Sequence, residues 1–200
     1  MLTMETERNR RASGSDRSLK DRVVDVDERV FGAVAAYHNP TLDVVLPRLS
    51  LAASYSRIWI GISATLVIIG GGKERMAAAE GILSVAITSL LANLILKRAI
   101  PRQRPKEPVP EARELPDPES SSFPSGHTAS GAAFSGAVGR ALPGLRTPLN
   151  AVAATIGFSR VYTGVHHPSD VAVGWVLGKA VAAVVCRSRI VPRLLSRLGV

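Results

Sequence analysis

The chain has 200 residues, room for one domain, and 46% of them are hydrophobic although only 4% are aromatic. The formal charge is +9, but the Lys and Arg residues border apolar stretches instead of forming one stripe with interleaved aromatics, which argues against a nucleic-acid partner. Cys186 is the single cysteine, so no intrachain disulfide is possible.

Most of the charged residues fall in 1–30, 97–120 and 187–200, and what lies between is nearly charge-free. Residues 1–22 are crowded with Arg, Glu and Asp and carry no apolar segment, so they read as a disordered tail and not as a cleaved signal peptide. From Val23 the pattern changes: Val23, Val26, Val30, Val34 and Tyr37 recur at helical spacing with acids and Arg29 between them. That is the pattern of an amphipathic helix suited to a membrane surface.

Six apolar stretches follow, at 42–54, 58–72, 77–96, 128–142, 149–162 and 171–186. A straight span needs about 20 apolar residues, so the third is long enough alone and the others borrow flanking residues. A soluble bundle could hold helices of this length, but its outer helices would show a polar side, which these stretches lack. Gly131, Ser135 and Gly139 recur every fourth position, as do Gly174 and Gly178, the small-residue spacing that lets helices approach closely in lipid. The expected fold is therefore all-α, a polytopic membrane helical bundle of about six helices preceded by the amphipathic helix. The expected divisions are a tail at 1–22, a membrane-embedded domain at 23–190 and a basic tail at 191–200.

Three clusters carry chemistry: Lys97 with Arg104 and Pro105; Pro124-Ser125-Gly126-His127; and Ser159-Arg160 followed by His166 and Asp170. Phosphoryl transfer spreads negative charge over equatorial oxygens, and catalysis rests on positioned cations and donors. Lys97, Arg104 and Arg160 supply three cations, two of them planar forks suited to phosphate. Ser125 and Gly126 stand where a helix begins, so their backbone N–H groups can face an anion. His127, His166 and Asp170 would also suit zinc, although three neighbouring cations would repel the metal.

In this order and spacing the clusters resemble the signature of the type 2 phosphatidic acid phosphatase superfamily, which includes membrane lipid phosphatases, bacterial acid phosphatases and vanadium haloperoxidases. The resemblance implies that His166 is the nucleophile that forms a phosphohistidine, that Asp170 orients its ring and that His127 protonates the leaving oxygen, with no metal or other cofactor. It further implies a lipid phosphate substrate: phosphatidic acid, phosphatidylglycerophosphate, undecaprenyl diphosphate or a decaprenyl-linked phosphoribose. His167 is also within helical reach of Asp170, and only the family spacing selects His166; His38 has no partner visible in the sequence. Two other readings keep parts of the pattern, a soluble acid phosphatase of the same superfamily and a noncatalytic membrane protein that binds anionic lipids.

If all six stretches span, Lys73, Arg75, Arg140, Arg146 and the 187–197 arginines share the cytoplasmic face with both termini, and the three clusters meet on the extracytoplasmic side. If the 42–54 stretch, interrupted by Pro47 and Arg48, does not span, the clusters still share a side but one terminus moves across. The segment 106–122, rich in Pro, Glu and Ser, reads as a mobile cover or a connection near the site. The sequence carries no signal for an oligomeric state.

Overall fold

The computed structural model describes residues 18–106, 108–116 and 120–197. Among them are eight α-helices and no strand: α1 (Leu19–Ala36), α2 (Pro40–Ala52), α3 (Arg57–Ile69), α4 (Gly72–Ala99), α5 (Gly126–Ala141), α6 (Pro143–Tyr162), α7 (Pro168–Ser188) and α8 (Ile190–Arg197). Residues 1–17 of the expected tail and 198–200 of the expected basic tail lie outside the described residues.

Helix α1 begins earlier than hydrophobic periodicity implies, because its start is set by a polar cap. Ser18 Oγ accepts the Asp21 N–H at 3.2 Å while Asp21 Oδ2 accepts the Ser18 N–H at 3.1 Å, the reciprocal bonds of a capping box. Helix α2 opens on Asn39, whose side chain accepts from the N–H groups of Thr41 and Leu42, with Pro40 in the first turn. Its end is a sharp break: Tyr55 and Ser56 take left-handed φ values of 55° and 59°, and the α2–α3 pair bends by 62°. Neither residue is glycine, so the bend carries backbone strain. The last stretch of the sequence, expected as a basic tail, continues as α8.

Two helices, α4 and α7, are long and apolar enough to cross a membrane, or three spans result if the bent α2–α3 pair counts as one. Their outer faces are aliphatic: Ile68, Ile69, Val176 and Val184 are each more than 60% exposed, a surface that suits lipid. Helix α5 occupies the centre, packed by α4, α6 and α7. Its neighbours come close because of small residues. A Cβ at Gly178 would lie 2.2 Å from the Ala129 carbonyl oxygen, and one at Gly131 would lie 2.9 Å from the Trp59 ring. Trp59, Phe134, Val138 and Ile156 fill the core around this centre, with the Trp59 and Phe134 rings 5.1 Å apart.

The first apolar stretch does not lead away from the clusters. Both ends of α2 touch the last turn of α6: Tyr162 Oη donates to Asp43, and Arg160 donates to Ser50 Oγ at 2.5 Å. Helix α1 is held at the same end, through Asp27 to Arg102 and Ser169. Helices α1 and α2 sit at the cluster end, while α7 runs from that end to α8 at the other.

Candidate active site

The three clusters converge at one end of the bundle. Lys97 closes α4 directly after a π-helical turn, Leu91–Leu96, a feature common at functional sites. Ser125 precedes α5, Arg160 lies in the last turn of α6, and His166 and Asp170 flank the start of α7. Lys97, Arg104, His127, Arg160 and His166 are near enough that their charges act on one another.

His166 is 2% exposed. Its Nδ1 sits 3.6 Å from Asp170 Oδ2, just beyond hydrogen-bond length, and has no hydrogen-bond partner. Burial pushes the imidazole down to about 4, with Arg160 and Arg104 acting the same way and Asp170 opposing. The ring is therefore neutral near pH 7. Asp170 itself is fully buried, and both its oxygens are held: Oδ2 accepts the His167 N–H at 2.9 Å and Oδ1 accepts Arg102 at 2.6 Å.

Arg160 is 5% exposed, bonded to Ser50, and its Nε has no partner. A buried guanidinium donor left unpaired next to two histidines suits an anion. Arg104 is braced by the carbonyls of Val165 and Ser120, and Lys97 Nζ donates to Ser120 Oγ at 3.1 Å. His127 Nε2 lies 3.4 Å from Ser54 Oγ.

The cap position departs from expectation in one respect. The Ser125 N–H is already used, donating to the Asp170 carbonyl at 3.0 Å. The α5 ladder begins with Ala129 N–H to the Ser125 carbonyl and no side chain caps it, so the donors ahead of it are the N–H groups of Gly126, His127 and Thr128. A Cβ at Gly126 would lie 3.2 Å from Asn93 Oδ1, so a larger residue there would make that amide shift by a few tenths of an ångström.

Several contributors were not legible in the sequence. Arg102 bridges Asp170 Oδ1 and Asp27 Oδ2 with separate nitrogens, at 2.6 and 2.5 Å, and Asp27 also accepts from the backbone and hydroxyl of Ser169. The amphipathic helix α1 is thereby joined to the carboxylate behind His166. The only sequence signal was an acid on an otherwise surface-like helix. Ser50 and Ser54, from the first apolar stretch, also reach the site.

His167 places its backbone N–H on Asp170 and its ring 6.4 Å from Phe31. His38 meets Asp43 at 3.1 Å, a partner hidden from the sequence. The 106–122 segment, expected to be a mobile cover or a connection, is pinned where it is described. Arg113 is fully buried, bonded to Asp43 at 2.6 Å and to the carbonyls of Ala35 and Tyr37, with its guanidinium over the Tyr162 ring. Among the described residues, no three His, Cys, Asp or Glu side chains are grouped to hold a metal ion.

Comparison with known proteins is decisive for the family. The PAP2 superfamily matches residues 77–190, more than half of the chain and all three clusters. The chain belongs to the PAP2 superfamily. Over 92 residues, 46% of the chain, it is 44% identical to half of the decaprenylphosphoryl-5-phosphoribose phosphatase of Mycobacterium tuberculosis H37Rv. Over 100 residues, 48% of the chain, it is 40% identical to 43% of the lipid A 1-phosphatase of Rhizobium etli. The chain thus spans about half the length of these curated relatives or less. A transmembrane PAP2-type phosphatidylglycerolphosphate phosphatase from Bacillus subtilis superposes with a TM-score of 0.65 at 28% identity, covering 85% of this chain and 88% of that one. With its aliphatic outer faces, this PAP2 chain is a polytopic membrane protein.

Proposed function

We propose that this PAP2 protein is a phosphatase that removes phosphate from a lipid-linked substrate through a phosphohistidine. The observation that carries the reading is the pairing of a buried, neutral His166 with Asp170 beside the unpaired Nε of Arg160. In the reaction, Asp170 faces Nδ1, which directs the proton to that nitrogen and leaves the Nε2 lone pair for phosphorus. Lys97, Arg104, Arg160 and the α5 N-terminal amides hold the equatorial oxygens as charge develops. With the substrate's negative charge offsetting the neighbouring cations, His127 takes up a proton from solvent, gives it to the departing lipid oxygen, and regains one from the water that attacks phosphohistidine. Phosphate leaves and His166 is restored, with atoms and charge balanced and no step assigned to a metal or cofactor.

A polyprenyl-linked phosphate, of the decaprenylphosphoryl-5-phosphoribose kind named for the mycobacterial relative, is the favoured substrate class. The lipid A 1-phosphatase and phosphatidylglycerolphosphate phosphatase relatives make a lipid-anchored phosphate the shared denominator. The proposal puts the site on the extracytoplasmic side. Lys73, Arg75, Arg140, Arg146 and Arg187 gather at the opposite end, the mark of a cytoplasmic face, whereas Arg102 and Arg113 at the catalytic end are engaged by carboxylates.

The test is phosphate release by detergent-purified protein from a lipid-phosphate panel with EDTA present, comparing wild type with His166→Ala. Release that survives EDTA and is lost in the variant supports the reading. Release that the variant retains rules out the histidine nucleophile, and binding without release from any lipid supports a noncatalytic anion-binding protein.

A further inference from the structure

The bundle carries a second polar cavity that the proposed reaction does not use. It encloses about 360 Å³ between α5, α6 and α7 and is bordered by Ser135, Arg140, Arg146, Asn150 and Lys179. Gly136 lies ten residues beyond Gly126, Asn150 ten residues before Arg160 and Lys179 eleven beyond Pro168. At 1.5 Å per residue the cavity is therefore about 15 Å or more from the catalytic end.

Lys179 sits mid-way along a 21-residue membrane helix, where a cation is expensive and usually functional. Its Nζ donates to Asn150 Oδ1 at 2.6 Å and Ser135 Oγ at 2.9 Å, and it lies 5.0 Å from the Trp175 ring centroid. These partners are neutral. Arg146 donates its Nε to the Gly139 carbonyl at 3.3 Å. Among the described residues neither Lys179, Arg140 nor Arg146 has a carboxylate within ion-pair distance; the nearby acid Glu80 meets Cys186 Sγ at 3.5 Å instead. Gly136 lets α5 and α7 approach closely beside it, since a Cβ there would lie 2.9 Å from Ala182 Cβ and 3.3 Å from Lys179 Cδ. Three cations thus surround a cavity whose uncharged lining leaves their positive potential unbalanced.

We propose that this cavity is a second anion site, separate from the catalytic one, that takes a phosphate group from the membrane face opposite the reaction. Lys179 supplies a point charge on the floor, and Arg140 and Arg146 supply planar forks at the mouth. The phosphate arrives either as an anionic lipid headgroup or as the free ion. The proposal depends on the membrane reading of the bundle and not on the phosphatase chemistry.

The test measures binding to the full chain by native mass spectrometry, once from phosphatidylglycerol-containing nanodiscs and once with inorganic phosphate in detergent. Wild type and His166→Ala should retain the ligand equally. Arg140→Gln with Arg146→Gln, which leaves the Lys179 bonds to Asn150 and Ser135 intact, should bind about tenfold more weakly or worse, as expected for lost charge-assisted bonds. Its catalytic turnover should be unchanged. Lys179→Met should show the same binding loss. Retention from nanodiscs alone identifies a headgroup, and a phosphate retained in detergent that Arg140→Gln with Arg146→Gln loses, beyond any held by the catalytic cradle, identifies the free ion. Wild-type binding in both variants, or no retained ligand of either kind in wild type, overturns the proposal and leaves Lys179 as a tie between helices.

Discussion

In the proposed reaction, burial at His166 decides which form of its ring meets the substrate. With the imidazole pushed down to about 4, the reactive neutral form persists through the physiological range, and the neighbouring cations can be spent on phosphate instead of on the ring's protonation. Removing one of those cations should be costly. Arg160→Ala is expected to lower kcat by about a hundredfold or more, the scale for one preorganised transition-state donor; turnover like wild type in a folded variant would remove Arg160 from the cradle. Arg102 acts one step further back. Arg102→Gln should lower kcat by up to about a hundredfold with little change in KM, because misplacing Asp170 disturbs the nucleophile and not substrate capture. Lysine cannot span Asp170 and Asp27 together, so Arg102→Lys should recover only part of the loss. An altered KM with kcat intact would show that Arg102 binds substrate directly.

At the scale of elements, close packing rests on glycines that give no signal of their own chemistry. The Gly178 contact with the α5 backbone, where a Cβ would come within 2.2 Å of the Ala129 carbonyl oxygen, cannot be relieved by turning a side chain. Gly178→Ala should destabilise the protein by about 1–3 kcal/mol, as overpacking does, and an unchanged Tm would contradict this account of the α5–α7 contact. The spacing of Gly174 and Gly178 was visible in the sequence, as were the three clusters that the structure brings together, because each repeats or matches a pattern along the chain. The roles of α1 and α2 were not. Asp27, Asp43 and Ser50 act through partners 75, 70 and 110 residues away, and nothing local separates a buried acid on an amphipathic helix from a solvated one. Helix α2 reads as apolar enough to span, yet its polar contacts with Arg160 and Tyr162 hold it at the catalytic end.

For the whole molecule, the proposed phosphate chemistry lies at one end of a helical bundle whose outer faces are aliphatic. The amphipathic helix α1 lies at that end, tied through Arg102 to the carboxylate beside His166, so in the proposed reaction the placing of α1 and the orientation of His166 share one set of bonds. The central claim is that His166 carries the phosphoryl group. Its most direct test is to mix detergent-purified enzyme with a lipid phosphate labelled in its phosphorus, quench rapidly under alkaline conditions that preserve phosphohistidine, and map the label by peptide. The account predicts label on the peptide containing His166, formed and lost on the timescale of turnover and absent from His166→Ala. Phosphate release without protein-bound label at any quench time, or label on His127 or His167, would contradict it.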